Sequence, residues 1–123
     1  MKKLLVLAVL ILVGAASWAQ QSTIGTGQWL HDGWTSYQNA HNGQTIPWPA
    51  MVNEQGYVAF VLAAAEVMYA ADWLALANTT PGQWFAVVGN YLDAHPELWT
   101  ASGDVLVYHA LYAAWPGPVA APY

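Results

Sequence analysis

Apolar side chains recur along this chain at helical spacing. In TTPGQWFAVVGNYLDAHPE, Thr79 to Glu97, the residues Trp84, Val87, Val88, Tyr91 and Leu92 mark one face of an amphipathic helix. Thr80-Pro81-Gly82-Gln83 punctuates its start. A threonine N-cap is followed three residues later by a glutamine that can reach back to the threonine N–H, the arrangement of a capping box. Pro81 sits where its missing N–H costs nothing. Pro96 disfavours helical geometry at His95, so the helix is predicted to end near Ala94.

The same reading runs through the rest of the chain. Thr26 can cap a helix that carries Trp29, Leu30, Gly33, Trp34 and Tyr37 on one face, with Gly33 costing it about 1 kcal/mol. Asn39 to Pro49 (NAHNGQTIPWP) reads as a loop, with an Asn-Gly turn signal and two prolines. A second helix is predicted from about Met51 to Asp72 on the stripe Tyr57, Phe60, Val61, Ala64, Ala65 and Met68. Val58 to Ala71 is apolar almost all round, which reads as a buried core helix, and Glu66 argues against a membrane span. Trp73 to Thr79 connects to the capped helix. Thr100 can cap a last helix, Ala101 to Trp115, with Leu106, Val107, Ala110, Leu111 and Ala114 inward. Pro116-Gly117-Pro118 stops it and leaves residues 117–123 as a frayed tail. No strand pattern or internal repeat competes. The expected fold is all-α, a small bundle of four to five helices forming one domain over residues 20–123.

The N-terminus changes the picture. Lys2-Lys3 precedes an apolar run from Leu4 to Val13, and Ser17-Trp18-Ala19 supplies small residues for cleavage. Residues 1–19 therefore read as a secretory signal peptide, with no membrane attachment after its removal. After Lys3 there is no lysine or arginine, and all seven acidic residues lie beyond it. Charged residues make up 7% of the chain, against about 25% in ordinary soluble domains. A surface without basic groups cannot neutralise phosphates, which excludes nucleic acid as a partner. Cysteine is absent despite the exported character, so no disulfide holds the fold together. Seven tryptophans and seven tyrosines remain after residue 19, more than so small a core can hide, which predicts exposed aromatics of the kind found at interfaces.

Catalytic and metal chemistry find no support. The histidines at 31, 41, 95 and 109 form no HExxH and no i, i+4 pair, so no metal and no cofactor is expected. Asp72, Asp93 and Glu97 match no recognisable dyad, and neither a G-x-S-x-G elbow nor a cysteine nucleophile is present. The expectation is that the chain is not an enzyme.

The run YVAFVLAAAEVM, then TTPGQWFAVVGNYLDAHPEL, then VLVYHALYAAWPGP resembles the Tai-type, or Rap-type, immunity proteins of type VI secretion. Gly56-Tyr57-Val58 matches the family's entry to an alanine-rich helix. Thr80, Gly82 and Gln83 match its helix start, and Tyr91-Leu92 with His95-Pro96-Glu97 its helix end. Val107, Ala110, Leu111, Ala114, Trp115 and Pro116 match its closing motif. Family cysteines would fall near Leu74 and Gly117, and near Trp34 and Gln55, and all are replaced here. His109, Tyr112 and Ala113 stand where relatives carry charge.

The resemblance implies a small helical periplasmic protein, often a homodimer, that binds and occludes a peptidoglycan amidase delivered by a neighbouring cell. The turn after the capped helix supplies the candidate contacts His95, Glu97 and Trp99, with Thr80, Pro81 and Gln83 as structural caps. Two other readings stay open on the aromatic content: a small exported helical protein with a structural or self-assembly role, and an aromatic groove for a glycan or a small hydrophobe.

Overall fold

A computed structural model describes residues 24–123; the predicted signal peptide lies outside the described residues. Among the described residues four α-helices follow in order: α1 (Gly27–His41), α2 (Trp48–Ala70), α3 (Pro81–Ala94) and α4 (Gly103–Ala114). A short 3-10 helix, Pro96–Leu98, lies between the last two. No strand occurs among the described residues. The fold is an all-α small bundle, as the periodicity predicted.

The helix starts show how local sequence sets the frame. Thr26 accepts from the Trp29 N–H at 3.3 Å to open α1. At α3 both halves of the capping box form, the Gln83 N–H donating to Thr80 Oγ1 at 3.3 Å and the Thr80 N–H to Gln83 Oε1 at 2.9 Å. The predicted cap at Thr100 is not used. Ser102 takes the N-cap position of α4 with no side-chain cap bond, and its hydroxyl donates to Asp104 in the first turn. Helix α2 begins at Trp48, inside the predicted loop. Pro47 is its N-cap and Pro49 falls in its first turn, so the prolines that signalled a loop mark a helix start.

Packing explains the glycines. Gly33 of α1 has no room for a Cβ, which would overlap the Tyr57 Cβ, and a Cβ on Gly56 of α2 would press on the Trp29 indole. These two reciprocal contacts bring α1 and α2 together along the bundle's most extensive interface. The core between the helices is formed by Leu30, Trp34, Tyr57, Val61, Val88, Leu92, Val107 and Leu111, among others. The Tyr57 hydroxyl, buried with its ring, donates to the Phe85 carbonyl oxygen at 2.6 Å and ties α2 to α3.

Three expectations are corrected. Helix α2 is not enclosed: Tyr57, Val61, Ala65 and Met68 are buried, while Val67 and Tyr69 face solvent. Alanines 59 and 63 share that exposed side; they favour helix while presenting little apolar area. Ala114 is exposed because α4 ends there and the chain turns away at Trp115. The tail has no regular structure, yet it is tied down. The Gly117 N–H donates to Trp73 O and the Val119 N–H to Asp72 O, both at 3.0 Å, and the Tyr123 hydroxyl donates to Asp104 Oδ2 at 3.1 Å.

Leu74 and Gly117, near which the family resemblance placed cysteines, come together in this tail junction. A backbone bridge joins Leu74 to Pro116, and the Ala75 N–H donates to Trp115 O at 3.0 Å. Leu74 is buried, and a Cβ at Gly117 would overlap the Trp73 backbone. Backbone pairing and an apolar plug hold this junction without a disulfide.

Candidate partner-binding surface

The turn after α3 is built by Pro96. His95 takes the C-cap of α3, and Pro96–Leu98 folds into one 3-10 turn that delivers the chain to Trp99. His95 Nδ1 lies 3.0 Å from Glu97 Oε1, and the imidazole packs on Tyr91 with ring centres 4.3 Å apart. Glu97 is the exposed member of the predicted trio. Its own backbone N–H and the His95 ring hold its carboxyl below the ordinary value, so it presents a carboxylate at neutral pH.

Trp99 is not an exposed anchor as expected. It is half-buried against the core, its Nε1–H donates to the Leu92 carbonyl at 2.8 Å, and its indole stacks on His31 with centroids 3.9 Å apart. Its carbonyl oxygen accepts from the Gln28 N–H at 2.7 Å, which fastens the turn to the start of α1. His95 is also half-buried. The structure thus brings all three residues into one turn, with Glu97 outward and Trp99 as the support beneath it.

Asp93, one turn behind, links the turn to the bundle. Its Oδ1 lies 2.9 Å from His31 Nε2, and its Oδ2 accepts from the Trp34 Nε1–H at 3.0 Å. Sequence reasoning set Asp93 and His31 aside because they match no catalytic pattern. The available signal was that His31 and Trp34 sit three apart on α1, which places both on one face of that helix. Among the described residues, no three His, Asp or Glu side chains approach closely enough to hold a metal ion.

Aromatic exposure is narrower than composition predicted. Of the described tryptophans, only Trp48 stands out in solvent, 73% exposed. Trp34 and Trp84 are core residues, and Trp29, Trp73, Trp99 and Trp115 pack against the core. Tyr112 is exposed on the outer side of α4, next to His109 and Ala113. No described helix is long and apolar enough to cross a membrane.

Comparison with known protein families gives a match. The family model of the Rap1a immunity proteins matches residues 36–117, more than half of the chain, from the second half of α1 to the tail junction. No curated protein and no solved structure matches. The matched span contains α2, α3 with its capping box, the His95–Trp99 turn and α4. The chain belongs to the Rap1a immunity protein family.

Proposed function

We propose that this chain is an exported immunity protein that binds a peptidoglycan amidase delivered by type VI secretion and covers its active site in the periplasm, acting as a homodimer. The family match over residues 36–117 carries the reading, since immunity proteins act by binding a cognate effector. The leader-like sequence of residues 1–19 supports export to the compartment where cell wall is cut. Occlusion needs no reacting group in the inhibitor.

In this reading the turn at His95, Glu97 and Trp99 contributes to the contact. Glu97 offers a carboxylate to a basic group of the toxin, and Trp99, pinned to Leu92 and stacked on His31, keeps the turn rigid before binding. Preformed geometry limits the ordering cost of association. The chain has no lysine or arginine after Lys3, so its charge complement is a basic patch on the partner.

The test is protection. Cells exporting the toxin encoded by the adjacent gene should lyse alone and survive when they also export this chain. Lysis under both conditions, with no complex recovered, overturns the proposal.

A further inference from the structure

A second surface, away from the His95 turn, combines the features of a docking groove. Where α1 crosses the start of α2, an open groove of about 490 Å³ is lined by Ile24, Trp29, Asp32, Trp48, Val52 and Asn53. Its apolar rim is unusually bare. Trp48 is 73% exposed, Ile24 51% and Val52 49%, and no other aromatic ring among the described residues packs on Trp48. Contiguous apolar surface of this kind marks an interaction site more often than a plain exterior.

The floor is fixed. The Trp29 indole lies over Gly56, where a Cβ would press on it, and meets Phe60 edge-to-face at 5.8 Å. Asp32 stands at the groove with its Oδ1 accepting from the Gln28 side-chain amide at 3.0 Å. That leaves Oδ2 as an acceptor in a groove also lined by the Trp29 and Trp48 indoles. Pro47 and Pro49 remove two N–H groups from the start of α2, which weakens the positive end that would otherwise repel a cation there.

A carboxylate sharing one groove with two tryptophans is the chemistry that takes a lysine or arginine: an ion pair at the head, apolar contact along the stem and cation–π attraction to an indole. No residue of this chain after Lys3 can supply that cation. We infer that the Trp48 groove docks a lysine- or arginine-bearing apolar segment of the effector protein, with Trp48 as the anchor and Asp32 as the charge partner. The inference rests on the immunity reading and adds a second contact region to it.

The experiment measures binding of the full exported chain to the toxin from the adjacent gene, for wild type, Trp48→Ala and Asp32→Lys. Both positions are exposed, and unchanged melting temperatures establish that both variants fold. The expected result is a loss of affinity of tenfold or more for each, with the wild-type salt dependence weakened in Asp32→Lys. Wild-type affinity in both variants overturns the groove while leaving the immunity reading intact. Absence of wild-type binding overturns both. A wild-type dimer that Trp48→Ala converts to monomer, with effector binding unchanged, assigns the groove to self-association and also overturns the inference.

Discussion

The Trp34 indole lies directly against Gly89, so closely that a Cβ on that glycine would overlap the ring. One turn along α3, Asp93 accepts the indole Nε1–H at 3.0 Å. A missing side chain and a carboxylate on one helix face together seat a tryptophan from another helix. Gly89→Ala should force the ring out and lengthen the Asp93 bond. We expect a loss of about 1–3 kcal/mol, as for other overpacked cores. Thermal unfolding checks it, with a fall of about 4–8 °C per kcal/mol for a domain of this size. Gly82, where a Cβ meets nothing closer than 3.9 Å, is the contrast. Gly82→Ala should leave stability unchanged or raise it by up to about 1 kcal/mol.

Thr80 caps α3 through its hydroxyl, and Gln83 completes the box. Thr80→Ala should cost about 1 kcal/mol, lowering the melting temperature by about 4–8 °C. Effector binding should survive wherever the variant remains folded. Unchanged melting with lost binding would instead make this segment part of the interface.

The Tyr57 hydroxyl, enclosed between α2 and α3, donates to Phe85 O at 2.6 Å. Burial pushes its ionisation far above the usual phenol range, so it remains a donor at any working pH. Tyr57→Phe removes the bond while Phe85 O, inside α3, keeps its helical partner, so the cost is that of one hydrogen bond, about 0.5–1.5 kcal/mol. Denaturant unfolding should show a lower midpoint with an unchanged slope.

The tail is predicted to release at both ends of the pH scale. The Ser102 hydroxyl, together with Tyr123 and the Val105 N–H, holds the Asp104 carboxyl below its ordinary 3.8. Its contribution is complete above that value and fades as pH falls through the lower, folded one. Partial burial and the Asp104 charge raise the Tyr123 phenol above 10.0. That contribution is complete below 10.0 and fades as pH rises through the folded value. Tyrosine NMR signals from residue 123 should report both transitions. Tyr123→Phe should abolish both tail transitions, while the Asp104 carboxyl, followed by its own NMR signal, still titrates below 3.8 because Ser102 and the Val105 N–H continue to hold it.

Local rules made the helices legible. Thr26 and Thr80 caps, the stop before Pro96 and the buried stripe of α2 all follow from short-range geometry that a sequence displays. Errors arose where tertiary structure chose between local options. Both Thr100 and Ser102 can start a helix, and the pairing of the Gly27 N–H with Ala101 O and the Gly103 N–H with Gly25 O favours the later start. Trp48 was hidden in a proline-rich stretch whose loop and helix-start readings use the same residues. The tail has no periodicity, so only its long-range bonds to Asp72, Trp73 and Asp104 reveal that it is docked. The candidate turn was visible as a motif. That Trp99 supports it from beneath depends on His31 and Leu92, one of them far away in sequence.

Titration of the purified toxin with this chain tests the central claim most directly. The readout is hydrolysis of peptidoglycan stem peptides as the exported chain is added. The account predicts that hydrolysis falls in proportion to added chain and stops when the toxin is saturated, with a stable complex on size exclusion. Undiminished hydrolysis at excess chain, with the two proteins eluting separately, would contradict it.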